Sequence, residues 1–151
     1  MNTAQKTYLE FNIEGGNFTR AGYASSEIKK TLKQLNWDMG IIKRTVVACY
    51  EGEVNVVAHA YSGTMYARID NEAILIEMVD EGPGIPDIDK AMQEGYSTAS
   101  DNVREMGFGA GMGLPNIKKN ADRLEISSEV GKGTRLVITM FRNGNHTEIN
   151  Q

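Results

Sequence analysis

Four short segments carry residue types that could bind a nucleotide and act on it. The first is Glu51-Gly52-Glu53-Val54-Asn55, inside a stretch of helical periodicity. Glu51 and Asn55 are four residues apart, so they share one helix face. Asn offers a neutral oxygen to a magnesium ion, and Glu can bind a water or accept a proton. A solvated helix face displays the same pair, so this segment decides nothing alone. Glu53 lies about 160° from Asn55 on a helical wheel and faces elsewhere. The second segment is Asp80-Glu81-Gly82-Pro83-Gly84-Ile85-Pro86, directly after an apolar strand. An acidic residue at a strand end, then glycines that admit a ligand to the backbone, suits recognition of a base's amino group. A ligand-free Pro-Gly turn reads the same way.

The third segment is Gly107-Phe108-Gly109-Ala110-Gly111-Met112-Gly113-Leu114, ahead of a helix. Alternate glycines let several backbone N–H groups point one way, and the helix N-terminus adds positive potential. A polyphosphate requires both; the plain alternative is a flexible linker. The fourth segment, Gly131-Lys132-Gly133-Thr134, is by itself a hairpin turn.

The elements that must position these segments follow from periodicity. Residues 8–13 alternate and predict a strand, broken at Gly15-Gly16. Asn17 is expected to cap a helix reaching about Leu35, with Ala24, Ile28, Leu32 and Leu35 on one stripe. Asp38 is expected to cap a second helix over about 39–60, with Ile42, Val46, Cys49 or Tyr50, Val54, Val57 and Tyr61 as its apolar side. Gly52 inside it costs about 1 kcal/mol relative to Ala. Residues 65–69 and 73–79 predict antiparallel strands joined at Asp70-Asn71. A short helix over 87–93 stops at Gly95, and residues 96–112 lack periodicity. A helix over about 114–122 tolerates Pro115 in its first turn, and 124–130 with 134–141 form a hairpin. Mixed helices and strands predict a two-layer α+β sandwich, a mixed sheet covered on one face by helices. Residues 1–142 are expected to form one domain, with 143–151 a polar tail.

Composition bounds the function classes. The 151 residues carry sixteen Lys+Arg against twenty Asp+Glu, net −4, which argues against a general grip on nucleic acid. The single cysteine, Cys49, excludes an internal disulfide and a Cys-based zinc site. No apolar run approaches the roughly 20 residues that span a bilayer, and the start lacks a signal-peptide pattern, so a cytoplasmic protein is expected. Nine of sixteen glycines lie between Gly82 and Gly133, with all three prolines. Glycine that dense is entropically costly, so something must use it.

In this order the four segments resemble the Bergerat-fold (GHKL) ATPase superfamily. Glu51 to Asn55 match its N box, Asp80 to Gly84 its G1 box, Gly109 to Leu114 its G2 box and Gly131 to Thr134 its G3 box. The resemblance covers about residues 8–141. It implies that Asp80 contacts the adenine amino group, that Thr134 lies near the adenine, and that Gly82, Gly84 and Ile85 are ATP-binding residues. It implies that Asn55 helps hold Mg²⁺, that Glu51 is a general base, and that Gly109, Gly111 and Gly113 lie along the ATP phosphates, with Met112 and Leu114 further ATP-binding residues. Residues 95–108 would be an ATP lid. Arg104, just before the glycine run, is the cation best placed to reach the γ-phosphate, with Lys132 a lesser candidate.

Chaperone, topoisomerase and mismatch-repair members carry large extra domains, and histidine kinases a helical hairpin with a phosphoacceptor His. Here the only histidines are His59 and His146. The chain is more similar to the free-standing anti-sigma factor serine/threonine kinases and their stress switch-kinase relatives. His59 to Gly63 resemble the first branch; Gly84 to Met92, Gly95 to Thr98 and Gly113-Leu114-Pro115 resemble the second. The resemblance implies an Mg²⁺- and ATP-dependent serine/threonine protein kinase acting on a STAS-type, anti-anti-sigma-like partner. A sigma factor and a homodimer stay open as further partners; nucleic acid and membrane are not expected. Two rivals remain, a nucleotide-gated binding module with little turnover and a detached histidine-kinase catalytic domain. His59, near a helix end, reads as a packed or capping group in a place that favours its charged form, and Cys49 as a small core residue.

Overall fold

The computed structural model describes residues 6–93 and 113–143. Chain order is β1 (Thr7–Glu14), a 3-10 turn (Phe18–Arg20), α1 (Tyr23–Gln34), α2 (Met39–His59), β2 (Ser62–Ile69), β3 (Ala73–Glu81), α3 (Ile88–Ala91), α4 (Gly113–Asn120), β4 (Arg123–Glu129) and β5 (Gly133–Phe141). The two-layer α+β expectation holds. The strands form one sheet in the order β1-β2-β3-β5-β4.

Every neighbouring pair is antiparallel, which corrects the expected mixed sheet. β3 and β4 do run the same way, each antiparallel to β5. The tight β4–β5 turn sends β5 back into the space between them, so their parallel pairing never forms.

One face of the sheet buries its side chains against the helices. Ile74, Ile76 and Met78 of β3 alternate inward, beside Met65, Ala67 and Ile69 of β2 and Leu136, Ile138 and Met140 of β5. Ile28 and Leu32 of α1, Ile42 and Cys49 of α2, and Leu114 and Ile117 of α4 cover them. Tyr8, Tyr66 and Val79 remain exposed on the outer face. Cys49 rather than Tyr50 is the inward residue of α2, and Tyr61 lies outside the helix and exposed. Burial pushes the Cys49 thiol far up, with the Glu53 carboxylate adding to it, so it is an inert core group.

Asp38 caps α2 as expected, accepting from the N–H of Gly40 and of Ile41. Gly52 has a reason beyond propensity: a Cβ there would run into the Met78 side chain, so the glycine lets α2 lie close on β3. Asn17, however, does not cap α1. It precedes only the 3-10 turn, and α1 starts at Tyr23 behind Gly22, whose φ is 99°. The cap comes from another helix: buried Glu53 of α2 accepts from the N–H of Ala24 at 3.0 Å and of Ser25 at 3.1 Å. Glu53 does face away from Asn55, as the helical wheel predicts, and this is where it points.

Candidate nucleotide site

Inward-facing columns on three adjacent strands change character at one end of the sheet. β3 reads Ile74, Ile76, Met78, then Asp80; β5 reads Met140, Ile138, Leu136, then Thr134; β4 reads Leu124, Ile126, then Ser128. The apolar face thus ends in a polar row. Thr134 N–H donates to Asp80 Oδ1 at 3.0 Å. Ser128 Oγ donates to the Gly133 carbonyl at 3.0 Å and accepts from Ile85 N–H at 2.8 Å. Its one proton is so used, and the Thr134 hydroxyl therefore donates to it across 2.9 Å.

The glycines around Asp80 are there for clearance. A Cβ on Gly133, at φ 151°, would run into the Asp80 carbonyl; one on Gly63, its β2 partner, would come within 3.2 Å of Asp80 Cβ. The loop after β3 and the β4–β5 turn are zipped together. Gly82 N–H donates to the Lys132 carbonyl at 3.1 Å and Gly131 N–H to the Pro83 carbonyl at 2.9 Å. Gly84, at φ 78°, passes against the Glu129 backbone. The fourth segment is indeed a hairpin turn, and it also supplies Thr134 to Asp80. Burial pushes the half-buried Asp80 carboxyl above its ordinary range, and the Thr134 N–H works against that. The result is a partly desolvated carboxylate with Oδ1 held by the backbone and, among the described residues, no hydrogen bond on Oδ2.

α2 brings the second pair of residues to the same side. Gly52 lies over Met78, and Val56 packs where a Gly63 Cβ would sit, beside Asp80. Successive turns of α2 therefore run along β3 toward the polar row. Glu51 and Asn55 are both half-buried. Asn116 Nδ2 donates to Glu51 Oε2 at 3.0 Å. Among the described residues Glu51 Oε1 and the Asn55 carboxamide take no hydrogen bond. A Cβ on Gly113 would lie 3.8 Å from Glu51 Oε1, so the residue ending the glycine run opens beside that oxygen.

Gly82, Gly84, Ile85 and Thr134 thus gather around Asp80, and Gly113 meets Glu51 on the Asn55 face of α2. Leu114 is 5% exposed within the core, leaving chiefly its backbone to a ligand. Arg104, Gly109, Gly111, Met112 and the lid expected over 95–108 lie outside the described residues, as does the tail from residue 144. Lys132 pairs with Glu129 at 3.1 Å on the surface. His59 departs from expectation: burial lowers its proton affinity, so desolvation outweighs the helix end. Sequence reasoning missed Asn116 and Ser128. Ser128 opposes Thr134 by the hairpin register, so a register drawn from the turn would have found it. No local signal marks Asn116.

Residues 42–143 match the family model described as histidine kinase-, DNA gyrase B-, and HSP90-like ATPase. The chain belongs to that family, the GHKL ATPases. Within it, the chain falls in the branch of bacterial anti-sigma factors and related serine/threonine kinases. It is 31% identical over 132 residues to an anti-sigma F factor of Clostridium acetobutylicum, covering 83% of this chain and 84% of that one. It is 42% identical over 112 residues to the serine/threonine-protein kinase RsbT of Bacillus subtilis, covering 72% and 78%. A solved Mycobacterium tuberculosis structure of RsbU and RsbW domains shares the fold at TM-score 0.60 and 16% identity, over 88% of this chain and 32% of that one. No helix among the described residues is long and apolar enough to cross a membrane.

Proposed function

We propose that this protein is a cytoplasmic, Mg²⁺-dependent serine/threonine protein kinase that transfers the γ-phosphoryl group of ATP to a STAS-type, anti-anti-sigma-like protein. The observation that carries the reading is Glu51. It stands on the Asn55 face of α2 with Oε2 hydrogen-bonded and Oε1 beside Gly113, taking no hydrogen bond among the described residues. A module that only binds nucleotide needs no such group. The 42% identity to a serine/threonine-protein kinase supports the same choice.

Each group then has a task. Asp80 accepts from the adenine amino group with the oxygen that Thr134 leaves over. Gly82, Gly84 and Ile85 border the base, and Gly113 leads the phosphates to the N-terminus of α4. Glu51 orients the incoming hydroxyl and takes its proton. Phosphoryl transfer asks little covalent chemistry of the protein, so positioning and charge neutralisation dominate. Asn55, half-buried one turn from Glu51, offers a neutral oxygen, and Mg²⁺ is commonly held by one or two protein groups, waters and substrate phosphates. Asn55 would hold it, and the ion would neutralise charge developing on the phosphates.

The test is transfer of labelled phosphate from Mg-ATP to a purified STAS-domain protein encoded beside this chain's gene. Acid-stable label on a serine or threonine is expected. Acid-labile label would favour a histidine kinase, and tight Mg-ATP binding without transfer would favour a binding module. Relatives named anti-sigma F factor support a sigma factor as a second partner. Its co-migration with this chain only when nucleotide is present would test that.

A further inference from the structure

Asn116 lies on α4 and touches Glu51 through its amide. A carboxylate only accepts hydrogen bonds, so the nitrogen end of that amide must face it. The donor is itself braced. Leu114, Pro115 and Ile117 of the same helix are buried, and Asn120 Nδ2 donates to the Asn116 backbone carbonyl at 2.8 Å. The Asn120 carbonyl accepts from Arg44 Nη1 at 3.1 Å, and Arg44 pairs with buried Asp122 at 2.8 Å. The chain from Asp122 through Arg44 and Asn120 ties the backbone of α4 that carries Asn116 to α2.

We propose that Asn116 is a positioning residue for Glu51. By occupying Oε2 it holds the carboxylate in one orientation, with Oε1 on the Gly113 side. A glutamate on a helix surface otherwise divides its time among several rotamers. A neutral amide suits the task, because a lysine or arginine there would pair with the carboxylate and suppress its basicity. The inference rests on the reading of Glu51 as the base, so the experiment keeps the two apart.

Turnover of Mg-ATP, with water or a purified STAS-domain protein as acceptor, is measured for the parent, Glu51→Gln, Asn116→Leu, Asn116→Gln and the Glu51→Gln/Asn116→Leu double variant. Melting and Mg-ATP calorimetry accompany each. Asn116→Leu should lower kcat about tenfold, with KM and Kd for Mg-ATP within about twofold. Asn116→Gln, which keeps an amide donor, should recover part of the loss. The double variant should be no slower than Glu51→Gln alone, since Asn116 acts through Glu51. An equal slowing by Asn116→Leu in both backgrounds would overturn the inference and leave the base reading standing. So would parental turnover in Asn116→Leu beside a slow Glu51→Gln. Parental turnover in Glu51→Gln, or none in the parent, would overturn both. Where Asn116→Leu does not fold, Asn116→Ser, whose hydroxyl falls short of the carboxylate, gives the same comparison.

Discussion

On the proposed adenine contact, Asp80→Asn separates binding from folding, and each effect has a definite sign. The Thr134 N–H needs an acceptor at Oδ1, so the variant's amide oxygen takes that position and its nitrogen replaces Oδ2. A donor then faces the adenine amino group where an acceptor stood. Losing a hydrogen bond to a charged group costs about 1.5–3 kcal/mol, so Mg-ATP should bind about 10- to 150-fold more weakly. Stability should move the other way. Burial raises the Asp80 carboxyl's proton affinity in the fold, so the folded state holds the proton more tightly than the unfolded one. Its contribution is therefore greatest below the ordinary carboxylate range and is lost as pH rises through the raised value. At neutral pH the charged group disfavours the fold, and a neutral isostere should melt at the same temperature or higher. Inosine triphosphate, with an oxygen in place of the amino group, should lose less affinity than ATP. Calorimetry with both nucleotides and melting curves at pH 5 and 8 read these effects. Equal losses of stability and binding, or unchanged ATP affinity, would refute the reasoning and make Asp80 a turn residue.

Glu51→Gln should leave Mg-ATP binding near the parental value while phosphoryl transfer falls about 10²–10⁴-fold, measured by single-turnover transfer. Asn55→Ala should instead lower nucleotide affinity and its dependence on Mg²⁺, read by titrating the metal at fixed ATP. Glu53→Gln turns one of the two acceptors that cap α1 into a donor and should cost about 2 kcal/mol, a drop of roughly 4–8 °C in melting temperature, with Mg-ATP affinity retained. His59 holds its proton less tightly folded than unfolded, so its contribution is present above the ordinary histidine value near 6.5 and is lost as pH falls below it. His59→Gln should flatten the fall of stability with pH in that window, read by denaturant titration.

The strands, both long helices and the four nucleotide segments are legible in the chain because each depends on neighbours in sequence. Period two on β3 and β5, the Asp38 cap and the glycine punctuation at Gly82, Gly84, Gly131 and Gly133 are local patterns with local causes. The family resemblance is legible for the same reason, since it rests on short motifs in a fixed order. The tertiary structure decided what depends on residues far apart. The sheet is antiparallel because β5 returns between β3 and β4, a choice no single strand encodes. The start of α1 is set by Glu53, 29 residues from Ala24, so Asn17 offered a plausible cap in the wrong place. Gly52, a weak point by propensity, proved to be the clearance that lets α2 approach Met78. Asn116 meets Glu51 across 65 residues, joined only by the packing of α4 on α2. Local hydrogen bonding and periodicity act over a few residues and can be read along the chain. Caps borrowed across helices, close approaches and the orientation of one carboxylate exist only once the layers have packed.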